Sequence, residues 1–215
     1  MARPALDLSL YLVTDTGLCG DLGVEPTVAR AVAAGVTTVQ LRDTGCSDAE
    51  FVALGLALRR TLSGTGVPLI LNDRVHLFRV VGADGVHVGQ NDTDVHAARE
   101  QIGRAAYLGL SVQTPGHVAS ALTQPQESVD YLGVGPIWTQ STKGDAAHPS
   151  SPEVLAAIVA ASPWPCVAIG GVDATNAAVV RRSGARGMAV VSAICGQPDV
   201  TTATRELRQA WEQTA

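Results

Sequence analysis

Short runs of apolar, often β-branched residues recur along the whole chain: LYLVTD (10–15), TTVQLR (37–42), VPLILN (67–72), GVHVG (85–89), AAYLGLSV (105–112), YLGVGPI (131–137), PCVAIGG (165–171) and GMAVVSAI (187–194). Within them apolar residues occupy consecutive rather than alternate positions. That is the pattern of strands buried on both faces, as in a parallel sheet. The intervening segments carry helical spacing. VEPTVARAVAAG (24–35) sets Val28 and Val32 one turn apart and stops at Gly35. SDAEFVALGLALRRTL (47–62) opens with Ser47 and Glu50, the spacing of a capping box. TDVHAAREQIG, SPEVLAAIVAA, ATNAAVVRRSG and TTATRELRQAWEQ repeat the theme, and PGHVASALTQ is the weakest helix of the series.

Eight strand–helix units in 215 residues predict an α/β chain folded as a single (β/α)8 TIM barrel over residues 1–215. A doubly wound open sheet is the rival. The count of eight and the lack of an opening GxGxxG favour the barrel. No proline-rich linker, charge block or low-complexity stretch divides the chain.

Composition narrows the partners. A net charge of −5 with 4% aromatic residues argues against a nucleic-acid binder, which needs a basic face or stacking platforms. The four cysteines, 19, 46, 166 and 195, form no C-x-x-C pair, and Cys166 and Cys195 sit in apolar runs. Reduced thiols fit better than a zinc site or a disulfide frame. Pro4 and Asp7 interrupt any signal-peptide core, and no stretch reaches the length of a membrane span. A soluble cytoplasmic protein is expected.

In such barrels the chemistry lies where strands end and helices begin. Seven of the eight runs carry polar residues or glycine there: Gln40 and Arg42, then Asn72 and Asp73, then Gln90, Asn91 and Asp92, then Ser111, then Thr142 and Lys143, then Gly170 and Gly171, and last Ser192. The first run ends in Thr14 and Asp15, to which the pattern assigns no role. A lone Asp73 would read as a helix cap. Seven polar strand ends on one rim read instead as a site.

Asp73 and Asp92 follow neighbouring strands, so both carboxylates could serve one hard cation; Mg²⁺ characteristically takes one or two carboxylates, waters and substrate phosphates. Arg42 and Lys143 are the cations placed to reach the same mouth. A plain salt-bridge cluster is the alternative. The AIGG run lets backbone N–H groups approach an anion closely, a second anion site near Ser192, unless the glycines only make a tight turn. Two anion sites on one rim suit an enzyme joining two phosphorylated small molecules. Of the histidines, His87 reads as packed or hydrogen-bonded, and His76, His96, His117 and His148 as surface or helix residues.

The ordered set LYLVTD, VQLRD, LNDRV, GADGVHVGQND, LGLSV, DYLGVGPI, TK, AIGG and GMAVVSAI resembles the thiamine phosphate synthase family over residues 10 to 196. The resemblance implies a (β/α)8 transferase that couples a hydroxymethylpyrimidine diphosphate to a thiazole phosphate and releases pyrophosphate. It implies Mg²⁺ on Asp73 and Asp92. It implies that Gln40, Arg42, Asn72, Ser111 and Lys143 hold the pyrimidine diphosphate, with Asp43 and Thr44 beside them, and that Arg42, Lys143 and Ser111 act in the chemistry. Gln140, Ser141, Thr142, Gly171, Val191 and Ser192 would line the thiazole phosphate site. Its partners would be small phosphorylated molecules, not nucleic acid or membrane, with room for a homo-oligomer.

Three positions depart from the family pattern. Thr44 stands where a lysine is usual, Gln140 where a threonine or similar small residue is usual, and DAAHPSSPEVL lacks the usual glycine before the sixth helix. A weakened diphosphate site is expected. The segment 139–151, rich in Ser, Thr and Gly, is expected to act as a lid. Two alternatives stand beside this reading. One is a thiazole phosphate tautomerase-like paralogue, which would lack the metal-binding acids. The other is a non-catalytic barrel binding thiamine precursors.

Overall fold

The structure, a computed structural model, describes residues 4–139 and 149–213. Eight parallel strands close into a barrel in chain order. They are β1 (Leu10–Val13), β2 (Thr38–Leu41), β3 (Leu69–Asn72), β4 (Gly85–Val88), β5 (Tyr107–Val112), β6 (Tyr131–Val134), β7 (Cys166–Ile169) and β8 (Gly187–Val190). β1 pairs with β8 as well as with β2, which leaves no sheet edge. The eight predicted runs are the eight strands.

The helices are α1 (Thr16–Cys19), α2 (Val24–Ala33), α3 (Asp48–Thr61), α4 (Phe78–Val81), α5 (Val95–Ile102), α6 (Pro115–Ala121), α7 (Pro152–Ala161), α8 (Ala177–Arg182) and α9 (Val200–Glu212). The Ser47–Glu50 capping box forms as its spacing predicts, with both reciprocal bonds present. The weakest predicted helix forms too. Thr114 caps it and Pro115 opens it, where a missing N–H costs nothing. None of the helices among the described residues is long and apolar enough to cross a membrane.

Apolar residues fall into two cores because successive strand side chains face opposite ways. Leu10, Leu12, Leu69, Leu71, Val86 and Val88 point outward and pack under the helices. Tyr11, Val13, Ile70, Tyr131, Val167 and Ala189 point inward and fill the barrel. Continuous apolar runs therefore reflect burial on both faces, one under helices and one inside. The four cysteines are free thiols, with Cys19 buried alongside Cys166 and Cys195.

Candidate functional site

A cavity of about 390 Å³ opens at the C-terminal ends of the strands. Gln40 and Arg42 reach it from the end of β2, Asn72 and Asp73 from β3, Asn91 and Asp92 from the loop after β4, and Ser111 from β5. Its opposite wall is Gly135 and Pro136 after β6, Ile169 and Gly170 at the end of β7, and Ala189 and Val191 at β8.

The polar triplet Asn72-Asp73-Arg74 divides. Asp73 adopts φ 60°, in the left-handed region that side chains seldom enter and that Asp tolerates better than most. Its N–H bonds the His87 carbonyl at 2.9 Å, and the Asn72 amide donates to its carboxylate. Asp73 caps no helix: the short 3-10 turn that follows (Val75–Leu77) has Arg74 at its cap position, without a side-chain capping bond. Arg74 turns away. It bonds Asp48 at 2.8 Å and the Cys46 carbonyl at 2.6 Å, and lies 4.5 Å from the centre of the Phe51 ring. Its charge is spent holding the 43–48 segment and the start of α3, not the cavity.

Asp92 is held by the Gly89 N–H at 2.7 Å, and Gln90 ties the same loop to the Ser111 carbonyl at 2.6 Å. Arg42 is the only cationic side chain among the described residues lining the cavity, and it sits in a loose pair with Asp15 at 3.8 Å. Asp15, left without a role by the sequence pattern, also caps α1 by accepting from the Leu18 N–H.

Asp43 and Thr44 lie outside the cavity wall. Desolvation pushes the Asp43 carboxyl up, but bonds from the Thr16 hydroxyl and the Gly45 and Cys46 N–H groups outweigh it and hold it below the ordinary carboxylate range. Thr44 is exposed beside it. Gly171 and Ser192 flank the cavity while their neighbours Gly170 and Val191 line it. The chain after β8 makes a tight turn, with the Ile194 and Cys195 N–H groups bonded to the Val191 carbonyl. Gln140, Ser141, Thr142, Lys143 and His148, with most of the segment expected to be a lid, lie outside the described residues.

On the glycine wall, the backbone of 137–138 is zipped to the end of β7: the Ile137 N–H bonds the Ile169 carbonyl and the Trp138 N–H the Gly170 carbonyl, each at 3.0 Å. Gly170 and Gly171 have φ 90° and 69°. A Cβ at Gly170 would lie 2.6 Å from Pro136 Cα, and one at Gly171 2.7 Å from Trp138 Cβ. Only glycine allows both this conformation and this approach.

Among the described residues no three His, Cys, Asp or Glu side chains converge as a self-sufficient metal cage. Two carboxylates on one cavity wall, with open space before them, fit a hard cation whose remaining ligands are water and phosphate oxygen.

The polar floor of the cavity is the feature the sequence pattern shows least. Gln40 Nε2 donates to the Tyr11 hydroxyl at 2.8 Å, and Tyr11 meets the Tyr131 hydroxyl at 2.8 Å. Tyr131 lies 3.1 Å from His87 Nδ1, and His87 Nε2 2.9 Å from Ser111 Oγ. Burial raises both tyrosine hydroxyls well above their ordinary pKa, so both keep their protons at neutral pH. Tyr11 and Tyr131 read in sequence as strand hydrophobes. Their inward register was the available signal.

A family model described as thiamine monophosphate synthase matches residues 10–194. The thiamine-phosphate synthase of Azorhizobium caulinodans is 46% identical over 202 residues, 94% of each chain. That of Chloroflexus aurantiacus is 44% identical over 203 residues, 94% of this chain and 92% of its own. Among solved structures, a thiamine phosphate pyrophosphorylase from Pyrococcus furiosus is similar with a TM-score of 0.86 at 32% identity, over 97% of this chain and 98% of that one. A 3-hexulose-6-phosphate synthase is similar at a TM-score of 0.68 and 18% identity, a likeness of fold alone.

Proposed function

The chain belongs to the thiamine monophosphate synthase family, and from that premise we propose how its cavity carries out thiamine-phosphate synthesis with release of pyrophosphate. The single observation that carries the reading is the division of one cavity. Its β2–β5 wall bears Arg42 and two carboxylates, and its β6–β8 wall is uncharged, made of glycine and apolar residues. A leaving diphosphate with its cation suits the first wall, and a thiazole phosphate suits the second.

In this reading the bond between the pyrimidine methylene carbon and the diphosphate oxygen breaks, and the oxygen keeps the electron pair. The thiazole nitrogen then forms the new carbon–nitrogen bond, becoming a cationic thiazolium. No protein nucleophile is required. Arg42 and Lys143 hold the diphosphate oxygens and stabilise charge as it develops there. Asp73 and Asp92 would hold Mg²⁺, which when bound supplies Lewis-acid neutralisation of the leaving group. Gln40, Asn72 and Ser111 orient the pyrimidine, so that much of the rate comes from positioning. The thiazole phosphate rests against Gly171, Val191 and Ser192, and the sequence resemblance alone adds Gln140, Ser141 and Thr142 to its ligands. Asp73 and Asp92 both reach the cavity, which speaks against a tautomerase-like paralogue.

The test is pyrophosphate release by the purified protein with both substrates, with Mg²⁺ and with chelator. Mg²⁺-dependent release that yields thiamine phosphate supports the reading. Substrates that bind without release would leave a thiamine-precursor-binding barrel in its place.

A further inference from the structure

The cavity floor is one continuous chain of polar contacts. It crosses the barrel from β2 through β1, β6 and β4 to β5, by way of Gln40, Tyr11, Tyr131, His87 and Ser111. The first four of these residues are buried, and no buried side-chain polar atom among the described residues lacks a partner. Two glycines make the chain possible. His87, Gly109 and Tyr131 are neighbours in register on β4, β5 and β6. A Cβ at Gly109 would lie 2.3 Å from both His87 Nδ1 and Tyr131 Cζ, and one at Gly133 2.8 Å from His87 Cε1. The sheet omits two side chains so that a histidine and a tyrosine can meet over it.

With Gln40 Nε2 facing Tyr11, counting protons fixes the direction of the rest of the chain. A tyrosine hydroxyl has one proton to donate, and a neutral imidazole has one donor and one acceptor nitrogen. Tyr11 accepts from Gln40 Nε2, so its own proton goes to Tyr131, its other partner among the described residues. Tyr131 then donates to His87 Nδ1, His87 carries its proton on Nε2 and donates to Ser111 Oγ, and the Ser111 proton is left for the cavity. At the other end the Gln40 amide oxygen accepts nothing from the described residues and opens on the cavity. If the Gln40 amide flips, every bond reverses and Ser111 becomes an acceptor. The five groups therefore share two states, and neither end changes character alone.

We propose that Tyr11, Tyr131 and His87 are positioning residues of a directional hydrogen-bond relay that couples Gln40 to Ser111 and sets the cavity floor as an acceptor at Gln40 and a donor at Ser111. Such a floor selects a flat heteroaromatic ring with an amino donor on one edge and a ring-nitrogen acceptor on another. In this orientation it disfavours the oxo analogue, whose carbonyl would oppose the Gln40 oxygen unless the whole relay reversed. The relay rests on the geometry alone. Its identification with the aminopyrimidine half of the reaction rests on the function proposed above.

The test uses long-range ¹H–¹⁵N correlation spectra of the full chain, without substrate, at neutral pH. The Nε2-protonated tautomer of His87 is expected. Tyr131→Phe removes the donor to Nδ1, and Tyr11→Phe removes the link to Gln40. In each, the His87 signature moves to a mixture of tautomers. The KM for the pyrimidine diphosphate rises about tenfold, the scale of one hydrogen bond, while the KM for thiazole phosphate holds. Should one variant fail to fold, the other carries the same readout. An Nδ1-protonated or doubly protonated His87 in the natural chain overturns the relay, as do an unmoved tautomer and KM in the folded variants. The expected tautomers with no pyrophosphate release would leave the relay standing and remove the reaction instead.

Discussion

On the β2–β5 side of the mouth the cavity wall is made of side chains: a guanidinium, two carboxylates, amides and a hydroxyl. On the β6–β8 side it is apolar and uncharged, with Pro136, Ile169, Ala189 and Val191 beside Gly135 and Gly170, where a Cβ would clash. In the proposed function the first wall works by charge, which a substitution can delete. The second works by the space its glycines leave, which a substitution can only obstruct. Removing a group should therefore injure one wall and adding a methyl the other.

The largest expected effect is on the charged wall. Asp73→Ala or Asp92→Ala should lower kcat/KM for pyrophosphate release by about 10³-fold, the scale of several kcal/mol of lost charge stabilisation. A loss under about tenfold would take the acids out of the chemistry. Next comes Arg42→Gln, expected to cost about 10²-fold in kcat/KM through charge stabilisation at the leaving group. A loss as deep as that of the acids would give Arg42 more than one task.

The glycine wall should respond to addition. Gly170→Ala meets Pro136 at 2.6 Å with φ at 90°, and should destabilise the fold by about 2–4 kcal/mol in urea unfolding. It should also raise the KM for thiazole phosphate more than that for the pyrimidine diphosphate. Equal effects on the two substrates would erase the division between the walls.

Smaller effects probe the segment beside the charged wall. The family pattern places a lysine where this chain has Thr44, exposed near Arg42. Thr44→Lys should raise kcat/KM a few-fold, and unchanged or lower activity would show that the diphosphate site is not weakened there. Asp43 should matter to stability with a defined sign. Its folded pKa is depressed, so it stabilises above its unfolded value of about 3.9, and that contribution fades as pH falls through the lower folded value. Asp43→Asn should flatten that part of the acid dependence in unfolding titrations, and an unaltered profile would mean its hydrogen bonds add nothing.

Much of this was legible along the chain because the signals are local. Ser47 and Glu50 announce a helix start from three residues apart, and continuous apolar runs announce strands buried twice over. Asn72 and Asp73 announce a rim by ending such a run. Arg74 did not disclose its direction, since its partners Asp48 and Cys46 lie 26 and 28 residues away. Asp43 and Thr44 lie next to Arg42 in sequence but not on the cavity, because the chain leaves the barrel there and folds back on its own N–H groups.

The sequence by itself determined the strand count, the closure into a barrel and the end of the strands where chemistry sits. Backbone periodicity and local hydrogen bonding suffice for these. Only the tertiary structure decided that Tyr11 and Tyr131, 120 residues apart, share a proton-donating contact, and that His87 joins them to Ser111 over a bare Gly109. Alternation along a strand says which side chains point inward. Which of them meet depends on the register of closure and on the side chains that the intervening strand omits.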